Sequence, residues 1–114
     1  MISPGTQNIF VTLAAQAASL NSIAQAADYS SKISIEVEKA YQELCEIAEA
    51  VTKGIVEWKK FEATVNAIEI LSNNIHKAKA NNPLISDDLV AHVDQLKQNA
   101  VNTLVELKQA LEIL

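Results

Sequence analysis

The sequence predicts an all-α protein, an antiparallel up-down bundle of four helices forming one domain over residues 1–114. Apolar residues recur at spacings of three and four along nearly the whole chain, which is the period of an amphipathic helix. The chain has only two glycines, two prolines and five aromatic residues, so it lacks the turn chemistry of a β-sandwich. Its hydrophobic content of 49% is sufficient for a buried core.

The first helix, expected over 4–27, contains no ionisable side chain, because every Asp, Glu, Lys and His lies from Asp28 onward. Pro4 suits a first helical turn, and Ser3 is a suitable cap before it. An apolar stripe with the spacing of a coiled-coil seam follows: Phe10, Leu13, Ala17, Leu20, Ala24 and Ala27. A helix without a charged face is poorly solvated, so we expect it to be covered by this chain, another copy, a partner protein or lipid.

The second helix is expected over 31–52, after a turn at 28–31 whose Asp and Ser residues compete for backbone hydrogen bonds. Its glutamates point largely outward, so acidic groups dominate the exposed side. The residues predicted to point inward are Ile33, Val37, Tyr41, Leu44, Ala48 and Val51.

Gly54 decides between two architectures. Glycine readily ends a helix in the left-handed conformation, but Val51, Ile55 and Trp58 stay in phase across it. A break there gives four segments of comparable length, with the third helix over 55–80. The alternative is a three-helix protein whose central helix spans 31–80, about 75 Å at 1.5 Å per residue, and which must dimerise to cover it. We favour the break.

The third helix is expected to stop at Asn81-Asn82-Pro83, and the fourth to span 86–114. Ser86 is the expected cap of the fourth helix, and Ile85 is placed to pack against Val90 as a hydrophobic staple. The stripe predicted to face inward contains Leu89, Val93, Leu96, Ala100, Leu104, Leu107, Leu111 and Leu114.

Charge and cysteine content exclude several classes of protein. The net charge of -5 comes from fourteen acids and nine lysines without any arginine, which argues against nucleic-acid binding. The lone Cys45 excludes an internal disulfide and a zinc cluster, and it is typical of a reducing compartment. A signal peptide requires Lys or Arg before its apolar stretch, and none precedes the apolar N-terminal stretch of this chain. Polar residues interrupt the stretch, which also makes it a poor membrane span. We therefore expect an acidic, soluble, cytoplasmic protein.

Chemistry-bearing residues are few. Glu62, Glu69 and His76 share one helical face, and Asp88 and His92 lie one turn apart beyond the following hairpin. Together they are the residues in this sequence that most resemble a set of metal ligands. No Glu-x-x-His pair supports a di-metal carboxylate bundle. We interpret the groups as a solvated stripe with a local Asp88 to His92 contact, and Cys45 as a buried or half-buried, unreactive thiol. The sequence thus predicts no enzyme and no cofactor.

Helical surfaces remain as the candidate functional feature. Trp58 and Phe61 share the apolar spacing and are predicted to anchor the core, although a tryptophan also often forms the centre of an interface. The candidate interface residues are Phe10, Leu13, Ala17, Leu20, Ala24, Trp58 and Phe61. The sequence therefore favours a non-catalytic interaction or self-assembly module that binds a protein partner or its own copies.

Two alternatives remain open at this point. A membrane-active protein of the pore-forming or lysis type would also use an uncharged first helix. It is disfavoured because membrane-surface helices usually carry Lys or Arg on their polar face. A small metal-binding bundle is the other alternative.

Overall fold

The structure, a computed structural model of the chain, describes residues 4–26, 31–83 and 85–113. The expectations for Ser3, Ala27, the turn at 28–30 and Leu114 lie outside these residues. The described chain forms four helices: α1 (Pro4–Ala26), α2 (Ser31–Thr52), α3 (Trp58–Asn81) and α4 (Asp87–Ile113). The four-helix prediction is thereby confirmed, and the alternative of one helix over 31–80 is wrong.

The four helices pack in a ring. Helix α1 contacts α2 and α4, and α3 contacts the same two helices, so α1 lies diagonally opposite α3. Neighbouring helices run in opposite directions: Lys60 of α3 meets Glu46 of α2, whereas Thr64, one turn later, meets Glu43, almost one turn earlier. The result is an antiparallel bundle measuring 47 × 22 × 19 Å.

The core consists mainly of the predicted apolar stripes. All predicted inward residues of α2 are buried except Tyr41, which is half-buried, and Ala40 and Ile47 join them. In α4 the stripe is buried from Leu89 to Ala100 and half-buried at Leu104 and Leu107. Burial of this apolar surface is the main force holding the helices together.

Helix α2 ends in a Schellman motif around Gly54, which has a positive φ of 84°. The Gly54 amide donates to the Val51 carbonyl and the Ile55 amide to the Ala50 carbonyl, each at 3.0 Å. The left-handed residue turns the chain, so Ile55 leaves the apolar phase and is 54% exposed. For the same reason α3 begins at Trp58 and not at residue 55.

We expect Gly54→Ala to destabilise the protein by about 1 kcal/mol, because an L side chain pays this cost in the left-handed region. A Cβ at this position would meet no atom within 4 Å, so the cost is conformational and not steric. Gly54→Asn should cost less, since asparagine tolerates this region better than alanine. Urea unfolding of both variants measures the difference. Equal stability of Gly54→Ala and the wild type would contradict the left-handed assignment.

The α3 to α4 turn follows its predicted capping chemistry. The Ser86 hydroxyl accepts a hydrogen bond from the Leu89 amide at 3.1 Å, as an N-cap does. Ile85 is buried, and Val90 packs half-buried against the same core. Lys79 closes the turn by donating to the Ile85 carbonyl at 3.0 Å and by pairing with Asp87 at 2.7 Å. Its ammonium holds the pKa of the Asp87 carboxyl below the ordinary value.

Candidate functional site

Six of the seven candidate interface residues lie in the core of this chain. The five α1 residues of the set are at most 1% exposed, and Phe61 of α3 is 0% exposed. The rings of Phe10 and Phe61 meet across the bundle diagonal, edge to face, with centroids 5.0 Å apart. The stripe expected to need shelter is therefore covered by α2, α3 and α4.

Trp58 does not have the predicted role of a core anchor. It is the first residue of α3, at the end of the bundle, where it is only half-buried. Phe61, one turn later, occupies the core position that the spacing had assigned to both residues.

The outer side of α1 is a surface without ionisable groups. Its exposed residues are small or amide-bearing, and Val11 is 52% exposed. Between Asn8 and Ala26 the exposed positions on this side are Asn8, Val11, Thr12, Ala15, Ser19, Ser22 and Ala26. Exposed helical surface normally carries charged residues, so this composition is unusual.

Helix α4 continues this surface. Its exposed residues on the outer side, between α1 and α3, are Ala91, Gln95, Gln98, Asn102 and Val105, the last 48% exposed, and the exposed Glu106 lies beside α1 at the end of this stretch. Of the ionisable residues in this stretch, Asp94 and Lys97 lie toward α3, where Asp94 pairs with His76, and the half-buried His92 contacts Asp88 of its own helix. We call the exposed α1 and α4 residues together the uncharged face. It was not predicted, because the sequence shows the α4 pattern only when the side facing α1 is known.

A groove joins the two halves of the uncharged face. It has a volume of about 430 Å³ and lies where Asn8 and Thr12 of α1 approach Asn99 and Asn102 of α4. Glu106 borders the groove and is the one ionisable residue among the described residues that line it. Side-chain amides and hydroxyls both donate and accept hydrogen bonds, so this lining can pair with many polar groups, but it offers no positive charge for a phosphate and a single carboxylate for a metal.

The opposite side of the bundle, formed by α2 and α3, carries charges. Lys60 lies 2.6 Å from Glu46 across the helix interface and 3.7 Å from Glu57. The hydrogen bond to Glu46 raises the pKa of Lys60, and the neighbouring carboxylates add to this effect against the opposing effect of desolvation. A second groove, of about 390 Å³, lies between α2 and α3 and is rimmed by Glu36, Lys39 and Glu43. The two sides of the bundle therefore differ sharply in charge.

His76 of α3 contacts Asp94 of α4, a pairing that the sequence does not predict. Its Nε2 lies 2.9 Å from both carboxylate oxygens of Asp94, and the Ser72 hydroxyl donates to Asp94 Oδ1 at 2.9 Å. In a Ser-His-Asp triad the histidine lies between the other two groups, whereas here the carboxylate does, so His76 cannot take the Ser72 proton. Ser72 is also 1% exposed and beyond the reach of a substrate. The cluster joins α3 to α4.

The Asp94 cluster predicts a pH dependence of stability. Partial burial raises the pKa of the Asp94 carboxyl, but hydrogen bonds from His76 and Ser72, with the charges of His76 and Lys97, hold it below the ordinary value. The ionised group therefore stabilises the fold above the unfolded pKa of about 3.9, and this contribution is lost as the pH falls through the lower folded pKa.

We expect Asp94→Asn to lose less stability than the wild type when the pH is lowered from about 6 to 3. The difference should be below about 1 kcal/mol, because the Asp94 side chain is 42% exposed and water screens the pair. Urea unfolding at the two pH values measures it. The same loss in both proteins would contradict the role of Asp94.

The remaining metal candidates are not brought together. Glu62 does face α4, as its shared face with His76 predicts, but it pairs with Lys108. His92 stays with its own helix, with Nδ1 2.8 Å from the Asp88 carbonyl and 3.3 Å from its carboxylate. Within residues 4–26, 31–83 and 85–113, no three His, Cys, Asp or Glu side chains form a group that could hold a metal ion.

Cys45 is half-buried in α2, as predicted. A hydrogen bond with Cys45 raises the pKa of the Tyr41 hydroxyl, one turn earlier, and the charge of the thiolate and burial raise it further. His76 pairs with Asp94, and His92 pairs with Asp88. The thiol therefore has no histidine base beside it, which nucleophilic catalysis requires.

Helix α1 is also long and apolar enough to cross a membrane. The segment Gln7–Ala26 has a mean hydropathy of 1.2, and 28% of it is buried in the bundle. Core helices of soluble proteins can meet the same criteria, and the apolar stripe of α1 does line the core. The composition of α1 thus fits either environment.

Comparison with known proteins finds no relative that assigns a role to these surfaces. No family model, no curated protein and no solved structure matches the chain.

Proposed function

We propose that this chain is a non-catalytic helical module that acts by binding protein, either another protein or its own copies. The observation that carries the proposal is the outer side of α1, which has no ionisable residue although it lies at the surface. The bundle covers the inner stripe of α1, so burial in the core explains why the inner residues are uncharged. It does not explain why the exposed residues on the outer side are uncharged as well.

The energetics of such a surface favour protein contact. Interface centres are depleted in charged residues, because charges must be desolvated when two surfaces meet. The α1 surface has none to desolvate, and its alanines and serines allow a neighbouring backbone to come close. The proposed binding surface is therefore the exposed side of α1. It lies opposite the buried apolar stripe, whose spacing had made that stripe the candidate interface.

Site-specific photo-crosslinking tests the proposal. A benzophenone amino acid at Ala15, in the middle of the exposed α1 surface, should form a covalent adduct with a protein in the cells that produce this chain. The matched control is the same amino acid at Ile70, which is 60% exposed on α3 at the opposite side. Protein adducts at Ala15 and not at Ile70 support the proposal. No protein adduct at Ala15 would contradict it.

A second candidate function is membrane activity, supported by the length and hydropathy of Gln7–Ala26. It ranks second because insertion of α1 would withdraw Phe10, Leu13 and Leu20 from the core. Dye release from vesicles of neutral or anionic phospholipid tests it. Release that is abolished by Ser19→Glu supports this function, and an absence of both binding and release excludes it.

A further inference from the structure

We infer that the partner of the uncharged face is a second copy of this chain, bound around a two-fold axis through α1 and α4. This inference rests on the proposed function and names its partner. Three observations carry it: the distribution of charge, the self-complementary chemistry of the face, and its area.

Charge favours this face for contact between copies. Each copy has a net charge of -5, so two copies repel wherever their acidic groups approach. The exposed residues include no Asp or Glu from Asn8 to Ala26 of α1 or from Ala91 to Val105 of α4, and Glu106, beside the groove, is an acidic group at the edge of this face. Contact through the α2 and α3 side would instead desolvate Glu36, Lys39 and Glu43 around its groove. Dimerisation through the uncharged face leaves these charged groups in water.

The chemistry of the face suits a two-fold axis. In such an interface the same patch meets itself, so it must be complementary to its own surface. Glutamine, asparagine, serine and threonine each donate and accept hydrogen bonds, and two such residues can therefore satisfy each other. Gln98 and Asn102 already do so within α4, where the Gln98 amide donates to Asn102 Oδ1 at 3.1 Å. A patch of one charge sign has no such self-complementarity.

Two exposed large apolar residues belong to the uncharged face, whereas Ile35, Ile55 and Ile70 lie outside it. Val11 and Val105 are 52% and 48% exposed, on α1 and α4 respectively. Each lies toward the end of the bundle that holds the start of α1 and the end of α4. Burying two valines from each copy supplies the apolar contribution that amide pairs alone do not give.

The area of the face is near what a stable dimer requires. Its α1 and α4 parts are about 25 Å long at 1.5 Å per residue. With the bundle width of 22 Å, the face covers on the order of 600 Å² of each copy. Specific interfaces begin near 1,200 Å² in total, so this area corresponds to the weak end of the range. We expect a monomer to dimer equilibrium in the micromolar range.

Sedimentation velocity of the purified full chain between about 1 and 200 µM tests the inference. The wild type should change with concentration from 12.4 kDa to twice that mass. Gln98→Glu and Ala15→Glu place like charges at the centre of the face and should keep the monomer mass throughout, with at least a tenfold weaker association. Ile70→Glu, an exposed position on α3, is the matched control and should dimerise as the wild type does. Circular dichroism checks that each variant folds.

The outcomes separate this inference from the proposed function. A wild type that stays at 12.4 kDa at every concentration overturns the inference, as does a dimer broken by Ile70→Glu and not by Gln98→Glu. If the purified chain is monomeric while the Ala15 crosslink captures a different protein, the self-partner is wrong and the binding function stands. A monomer with no protein adduct at Ala15 contradicts both.

Discussion

Ala17→Glu should remove a large part of the stability of the protein. Ala17 is 1% exposed in the middle of the α1 stripe, so the new carboxylate would enter the core without a partner. An uncompensated buried charge costs about 3–5 kcal/mol. Total stabilities of small domains are about 5–15 kcal/mol, so this loss removes much of the margin. Chemical unfolding followed by circular dichroism measures it.

The control for this prediction is Ala80→Glu. Ala80 is exposed near the end of α3, and the same substitution there should change stability by less than about 0.5 kcal/mol. If Ala17→Glu is as mild as Ala80→Glu, the inner side of α1 is not sheltered in solution. Release of α1 from the bundle would then become the leading interpretation, and the membrane-active function would gain support.

Phe61→Ala should be the most damaging truncation of an aromatic residue. The side chain is 0% exposed and touches Phe10 edge to face, which links the diagonally opposite helices α1 and α3. Removing a buried phenylalanine costs about 3–5 kcal/mol. The aromatic pair adds about 0.5–1.5 kcal/mol, which a double-mutant cycle with Phe10→Ala isolates.

Trp58→Ala is the matched comparison for Phe61→Ala. Tryptophan is the larger residue, but Trp58 is only half-buried at the bundle end, so its truncation should cost less. If the two variants unfold in urea with equal slopes, their urea midpoints give the order of their stabilities directly. A larger loss at Trp58 would restore the role of core anchor that the sequence assigned to it.

Local signals in the sequence predict the helix ends well. Gly54 ends α2 because only its backbone freedom allows the left-handed turn, and this constraint acts within a few residues. The Ser86 cap is equally local, since its hydroxyl bonds an amide three residues on. The period of the apolar residues identifies the inward side of each helix for the same reason. A helix period is a property of one segment and needs no knowledge of its neighbours.

Contacts between helices were harder to predict. Asp94 joins His76 and Ser72 because α3 and α4 have a particular rotation and offset, and no spacing within either helix encodes that choice. The sequence therefore predicts only a solvated stripe for His76 and does not identify Asp94 as its partner, whereas the contact of His92 with Asp88, which lies within one helix, is present as predicted. The α4 part of the uncharged face is also not predictable from the sequence. Which side of α4 adjoins α1 depends on the order of the helices in the ring.

That ring order also sets how fast the chain should fold. Three of the four packed helix pairs are consecutive in the chain, so each forms by closing a short loop at a small entropic cost. Proteins dominated by such local contacts fold in microseconds to milliseconds. The α1 to α4 pair alone must bring distant parts of the chain together, which makes it the natural last step. Refolding kinetics should therefore be rapid, with the seam beside Asn8 and Asn102 closing after the hairpins have formed.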